Sequence, residues 1–342
     1  MSTLTNAERK RPVKKVLNDP FAYVDEMLDG LCAAHPEHYR LTGTQGRVIA
    51  RAQPMPDGKV GIVSGGGSGH LPIFTGYVGK GLLDACAIGD VFASPSVDQM
   101  ADAIRAANGG AGVVRLYGNY GGDIMNFDMA GDMVEMEDIA CTTVLLTDDV
   151  ASAKPEEAEK RRGVAGLVYA FKIAGAAAEA GRDLAGVTEA AQRAADACRS
   201  VGFALSSCTV PQAGRPTFDI GETEMEMGMG IHGEPGVWRG EIRPADAIAE
   251  EMMDILLADK PASGRVSVMV NSLGATPPEE LYILYRVVKR RLEAAGAEIV
   301  MPLVGRYATS MEMAGASITL CHLDADLEGL LTAPCDCAFW KV

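Results

Sequence analysis

Three polar side chains stand in glycine-rich surroundings in this 342-residue sequence. They are His70 in SGGGSGH (64–70), Asp123 in GNYGGDIMNF (118–127) and His232 in EMEMGMGIHGEPG (224–236). An imidazole can act as nucleophile or proton carrier, and a carboxylate can act as general base. Glycine removes side chains and lets a backbone approach its neighbours closely. Gly228, Gly230, Gly233 and Gly236 therefore suggest either a tight turn or space cleared around His232 for a small molecule. SGGGSGH is either a structural turn or a cradle of backbone N–H groups for an anion or polar ligand, and His70 at its end favours a ligand. Asp123 is either the N-cap of a helix or a base held at a strand end.

Other motifs are weaker. SGGGSGH does not match G-x-G-x-x-G, and YVGKG (77–81) has Gly81 where a P-loop needs Ser or Thr. His232-x-Glu234 with Pro334-Cys335-x-Cys337 superficially resembles a zinc deaminase, but that signature needs C-x-x-C near the His, so no metal site is assigned. His35, His38 and His322 show no ligand-like partners. Met225, Met227 and Met229 alternate as in a strand and read as core.

The elements that must position these residues follow from periodicity. A helix is expected from DPFAYVDEMLDG, capped by Asp19 with Pro20 at its first position. Strands are expected at 60–63, 112–117 and 141–149, with helices near 95–108 and 124–137. Residues 155–200 read as two helices, the first beginning at Pro155. FALSSCTVP (203–211), GRVSVMVNSLG, AEIVMPLVG and GASITLCHLD read as strands, and ADAIAEEMMDILLAD and 278–295 as helices. Strands alternating with helices give an α/β fold of two α/β domains, each a mixed sheet flanked by helices. The boundaries fall at 1–19 (a solvated basic arm with Arg9, Lys10, Arg11, Lys14 and Lys15), 20–195 and 196–342.

The net charge of −15 argues against a nucleic-acid partner. No apolar run approaches a membrane span, and no signal peptide is visible. Eight cysteines without repeating spacing read as reduced thiols, which points to the cytoplasm.

Taken together, SGGGSGHLP with GYVGKG, NYGGDIMNF and EMEMGMGIHGEPG resemble the sugar-binding subunit K of dihydroxyacetone kinase. GDVFASP (89–95), RRGVAG (161–166), CTVP (208–211) and NSLGATPPEELY (271–282) extend the resemblance over roughly residues 20–340. The resemblance implies the subunit K fold and a covalent device, in which the imidazole of His232 adds to a ketone carbonyl and forms a hemiaminal. It implies that Asp123 accepts the proton of the attacking hydroxyl and that His70 orients the substrate. Gly67, Ser68, Gly69 and Gly118 would complete the substrate site. Covalent capture would admit ketoses and exclude polyols such as glycerol.

Two positions depart from the pattern. Gly118 stands where a Lys usually precedes the Asn-Tyr pair, and Leu71 stands where a Glu usually follows the His of the glycine loop. Both suggest a wider, more neutral wall and a C4 or C5 ketose rather than dihydroxyacetone. No nucleotide or Mg²⁺ motif is visible, and 342 residues leave no room for the family's second, nucleotide-binding domain. Mg-ATP or Mg-ADP is therefore expected on a partner subunit L, with this chain as a homodimer. The resemblance also admits a hydroxyketone-sensing co-activator without kinase activity.

Overall fold

The computed structural model describes residues 13–342, which build two large sheets that share one layer of helices. The chain opens with α1 (Tyr23–Ala34), β1 (Tyr39–Thr42), β2 (Val48–Arg51), β3 (Gly61–Ser68), β4 (Ala85–Val91) and α2 (Val97–Ala107). It continues through β5 (Val113–Gly118), α3 (Gly121–Glu135) and β6 (Cys141–Leu146). The first sheet has the order β1-β2-β4-β3-β5-β6. β4, β3, β5 and β6 are parallel, and β2 and β1 extend the edge antiparallel. From β3 the chain passes to β4 on one side, whereas from β5 it passes to β6 on the other. The C-terminal ends of β3 and β5 thus part at a topological switch point, where open parallel sheets form ligand crevices.

α4 (Gly166–Glu179) and α5 (Leu184–Ala197) come next. Every residue of α4 except Glu179 is buried, as expected of a helix that is apolar all round. Its side chains share one core with Ile62, Leu116 and Val144 of the first sheet and with Met269 and Cys321 of the second. That second sheet comes from β7 (Cys198–Ala204), β8 (Thr209–Val210), β9 (Arg215–Pro216), β10 (Glu224–Met227), β11 (Trp238–Glu241), α6 (Ala245–Asp259) and β12 (Gly264–Ser272). α7 (Pro278–Ala294), β13 (Ala297–Ile299), β14 (Leu303–Gly305), β15 (Gly315–Leu323) and α8 (Ala325–Thr332) complete the chain. Its order is β11-β10-β7-β15-β12-β13, with β14 also on β12, and β8 and β9 pair apart. The outer faces are covered by α2 and α3 on the first sheet and by α6 and α7 on the second. No helix is long and apolar enough to cross a membrane among the described residues. All eight cysteines are free.

Several boundaries differ from the sequence expectation. α1 begins at Tyr23, because Asp19 instead closes a turn in which its Oδ1 accepts the Phe21 N–H at 2.8 Å. Gly65, Gly66 and Gly67 of SGGGSGH lie inside β3, which is buried along its whole length, and only Gly69 falls in the bend that follows it. PEEAEK forms only a 3₁₀ helix, and residues 161–165 run on without helix before α4. There Arg161 pairs with Asp259 at 2.5 Å and Arg162 pairs with Asp149 at 2.8 Å, so this stretch serves charge pairing rather than helix continuation. The strand expected at 203–211 is β7, which starts at Cys198 directly after α5. AEIVMPLVG divides into β13 and β14. Of the basic arm, Arg9, Lys10 and Arg11 lie outside the described residues, and Lys15 is ion-paired with Glu312 rather than solvated.

Candidate active site

β3 ends in a register irregularity between Gly67 and Ser68, where the pairing with β4 skips a residue. Such a bulge re-aims the chain that follows it. Glycine is required here for packing: a Cβ on Gly66 would lie 2.3 Å from the Phe74 ring, and one on Gly67 2.6 Å from the Ala93 nitrogen. The space over β3 is thus filled by aromatic side chains and backbone. Phe92 stacks on His70 with centroids 4.9 Å apart, and Phe74 meets it edge-on at 6.3 Å. Phe74, Phe92 and Met311 have φ of 69°, 57° and 52°. Left-handed backbone at bulky residues is strained and gathers at functional sites.

A strap before β15 joins the two halves of the site. His70 Nδ1 donates to the Thr309 carbonyl at 2.7 Å, the Thr309 hydroxyl donates to the Leu71 carbonyl at 3.0 Å, and the Met311 N–H donates to the Gly69 carbonyl at 2.8 Å. Ser310 Oγ donates to the Ile231 carbonyl at 2.5 Å, which ties the same strap to the His232 loop. As a result His70 and His232 meet, with their Nε2 atoms 3.0 Å apart. Burial, followed by the nearby His232 charge, pushes the His70 imidazole down to about 3. His70 is therefore neutral, with its proton on Nδ1 and its Nε2 lone pair facing His232.

His232 Nδ1 lies 2.9 Å from Glu234 Oε1, and the His232 backbone N–H donates to Glu234 Oε2 at 3.0 Å. Burial opposes the Glu234 charge, but the His232 contacts outweigh it and take the carboxyl down to about 2. Arg162 approaches Glu234 at 3.8 Å and bonds Asp149. Burial lifts Asp149 to about 7 against the pull of Arg162. Tyr120 and Phe92 wall the imidazole edge-on, at 4.9 and 5.4 Å between centroids. The glycines of this loop do not clear space around the imidazole, as the sequence suggested. A Cβ on Gly230 would lie 2.1 Å from Glu234 Oε2, and one on Gly236 2.2 Å from the Met227 carbonyl, so they let the loop fold onto itself.

Asp123 sits in the first turn of α3, past the N-cap residue Tyr120, and is not itself the cap. It is buried, and its Oδ1 has no hydrogen-bond partner. Burial raises its carboxyl to about 6, against the lowering effects of the Ser94 hydroxyl and the His232 charge. An unpartnered buried carboxylate oxygen is costly, which makes Asp123 a candidate functional position. Gly118 ends β5, where a Cβ would lie 3.0 Å from the Tyr120 ring and 3.1 Å from the Gly163 carbonyl. The position is lined by the Tyr120 ring and the Gly163 carbonyl, and Leu71 packs against the core.

His70 just after β3, Asp123 in the first turn of α3 and His232 in the loop after β10 thus converge. Sequence reasoning missed the strap Thr309–Met311, the Phe92 and Tyr120 walls and the role of Arg162. Glu234 was considered only as part of a rejected zinc motif. The other histidines differ from expectation: ligand atoms of His35, Glu37 and His38 lie within 4.8 Å of one another. Both ring nitrogens of His38 already face carboxylates, Glu37 at 3.0 Å and Asp336 at 3.1 Å, and Lys341 pairs with Asp336, so these contacts form an ionic cluster. His322 is partly buried, and burial, then Lys260, lowers it to about 4.

The chain is similar to known proteins over nearly all of its length. The Dak1 domain matches residues 29–339. The dihydroxyacetone-binding subunit DhaK of a PTS-dependent dihydroxyacetone kinase 2 from Listeria innocua is 45% identical over 96% of this chain and 100% of its own length. A D-erythrulose kinase from Mycolicibacterium smegmatis is 44% identical over 96% of this chain, which spans 56% of that protein. Among solved structures, the dihydroxyacetone kinase of C. freundii superposes with a TM-score of 0.88 at 33% identity, over 96% of this chain and 60% of that one. The dihydroxyacetone kinase operon co-activator DhaQ superposes at 0.83 and 31% identity, over 91% of this chain and 96% of that one. The two-sheet α/β fold is that of the kinase, and the chain belongs to the Dak1 family of dihydroxyacetone-binding kinase subunits, whose phosphoryl acceptor is an alcohol group.

Proposed function

We propose that the chain captures a short-chain hydroxyketone as a hemiaminal on His232 and presents its terminal hydroxyl for phosphorylation, with Asp123 as general base. The meeting of the two Nε2 atoms at 3.0 Å carries this reading. Both Nδ1 atoms face oxygen acceptors, so the two Nε2 atoms, 3.0 Å apart, share one proton between them. When a ketone carbonyl enters, the proton between the rings passes to His70 Nε2, and the freed lone pair of His232 Nε2 bonds the carbonyl carbon. The carbonyl π electrons move to oxygen, which takes that proton and becomes the hemiaminal hydroxyl. The His70 Nε2 lone pair then accepts a hydrogen bond from a substrate hydroxyl. A polyol has no carbonyl to capture, which gives discrimination that hydrogen bonding alone separates poorly.

Asp123 then accepts the proton of the terminal hydroxyl as its oxygen attacks the phosphoryl group. Gly67, Ser68, Gly69 and Gly118 line the substrate side. The phosphoryl group would arrive on a separate nucleotide-binding subunit L carrying Mg-ADP or Mg-ATP, in the cytoplasm, with this chain as a homodimer. Support for a separate partner comes from relatives matched end to end that are named binding subunits of PTS-dependent kinases. The ketose has three or four carbons, since kinases named for dihydroxyacetone and for erythrulose match this chain at nearly equal identity.

A sensor reading draws on the co-activator structure. Capture alone would suffice for a sensor, whereas the buried Asp123 carboxylate, raised to about 6, supports a proton-transfer role. Purified chain, tested with dihydroxyacetone and erythrulose with and without a nucleotide-binding subunit, should phosphorylate only with the partner. Asp123→Ala should abolish turnover and keep ketone binding. Ketone binding with no turnover under any partner or donor would favour the sensor.

A further inference from the structure

An imidazole that attacks a carbonyl must offer one nitrogen in one orientation, with its other nitrogen held in a defined protonation state. Glu234 contacts His232 twice, Oε1 on the Nδ1–H at 2.9 Å and Oε2 on the backbone N–H at 3.0 Å. One carboxylate therefore fixes both the ring and its peptide. Glu234 is braced in turn. Arg162 lies 3.8 Å from its Oε2, bonds Asp149 at 2.8 Å and donates to the Gly228 carbonyl at 3.2 Å. A Cβ at position 230 would fall 2.4 Å from Arg162 Nη1 and 2.1 Å from Glu234 Oε2, so a side chain there would displace the ends of this brace. Asp149 follows β6, and its neighbour Val150 donates to the Ser200 carbonyl in β7 at 3.0 Å, so the brace is anchored where the two sheets join.

We infer that Glu234, held by Arg162 and Asp149, is the positioning residue of the capture step. It retains the proton on Nδ1, which leaves Nε2 as the attacking nitrogen. Its negative charge also offsets the substituted imidazolium present once the N–C bond has formed. The balance is complete without another reactant: Nδ1 keeps its proton throughout, Nε2 exchanges a proton for carbon, and the ketone oxygen gains that proton. The positive charge that accompanied the shared proton then resides on the substituted ring, with Glu234 as its counter-ion. The inference rests on the hemiaminal reading. A carboxylate that merely closed the turn would leave the ring nitrogens and the adduct unaffected once the loop was folded.

The test uses full-length protein with ¹⁵N-labelled histidines and dihydroxyacetone ¹³C-labelled at its carbonyl, in wild type, Glu234→Gln and Arg162→Lys. Wild type should show His232 protonated at Nδ1 and an adduct carbon attached at Nε2. Glu234→Gln, with thermal unfolding near that of wild type, should lower adduct occupancy at a fixed subsaturating ketone concentration by about tenfold or more, the weight of one hydrogen bond to a charged group. Its His232 ring should lose the fixed Nδ1 proton. Arg162→Lys should fall between the two. A folded Glu234→Gln protein with wild-type occupancy and unchanged ring signals overturns the inference while leaving capture intact. Absence of an adduct in wild type overturns the capture reading, and the inference with it. Should Glu234→Gln not fold, the wild-type ring decides: an adduct attached at Nδ1 overturns the inference.

Discussion

The two chemical arms of the site are finished to different degrees. On the histidine arm every ring nitrogen has a partner: Thr309 and Glu234 take the Nδ1 atoms, and the Nε2 atoms face each other. On the aspartate arm a buried carboxylate oxygen has none, and its carboxyl is raised to about 6. The difference teaches which interaction awaits substrate. On the proposed function, the groups for capture are preassembled by the protein, whereas the Asp123 carboxylate would complete its hydrogen bonding with a substrate hydroxyl.

The largest break in this contrast comes at the nucleophile. His232→Ala should remove both adduct and turnover, read by a coupled phosphorylation assay. Asp123→Asn should separate the arms, lowering turnover by roughly 10²- to 10⁴-fold while leaving ketone binding within a few-fold, since only proton transfer is lost. The pH profile sharpens the same division. Asp123 acts as a base only when ionised, so kcat/KM should fall as pH drops through about 6, and Asp123→Asn should lack that limb. Equal pH limbs in both proteins would assign the titration elsewhere. A smaller effect is expected at Gly230→Ala, where the new methyl presses on Glu234 and Arg162. Overpacking of this kind costs about 1–3 kcal/mol, measurable by chemical denaturation, with weakened ketone binding beside it. The smallest change concerns substrate choice. Gly118→Ala presses only gently on Tyr120 and should alter the erythrulose-to-dihydroxyacetone preference by no more than a few-fold.

Much of the site was legible in the sequence because its chemical residues stand in long glycine-rich motifs. His70, Asp123 and His232 were found that way, and so was the α/β alternation that places two of them at parallel strand ends. The meaning of the glycines was not. Gly66 and Gly67 make room for Phe74 and for the Phe92–Ala93 backbone, and Gly230 makes room for Glu234, which only three-dimensional neighbours reveal. Gly118 is a similar case, because the Tyr120 ring beside it is visible only in three dimensions. Thr309 and Ser310 gave no signal: they act through hydrogen bonds with backbone carbonyls, for which many residue types could serve. Periodicity located the amphipathic α6 and α7 well. It placed the start of α4 poorly, since paired arginines rather than apolar spacing decide the path of residues 161–165.

The most direct test follows the ketone carbon itself. With dihydroxyacetone ¹³C-labelled at its carbonyl, wild-type protein should convert the carbonyl resonance into a protein-broadened signal of a tetrahedral carbon bonded to nitrogen. His232→Ala should show only free ketone and its hydrate. A bound ketone that keeps its carbonyl resonance in the wild type, or an equal tetrahedral signal in His232→Ala, would contradict capture by His232.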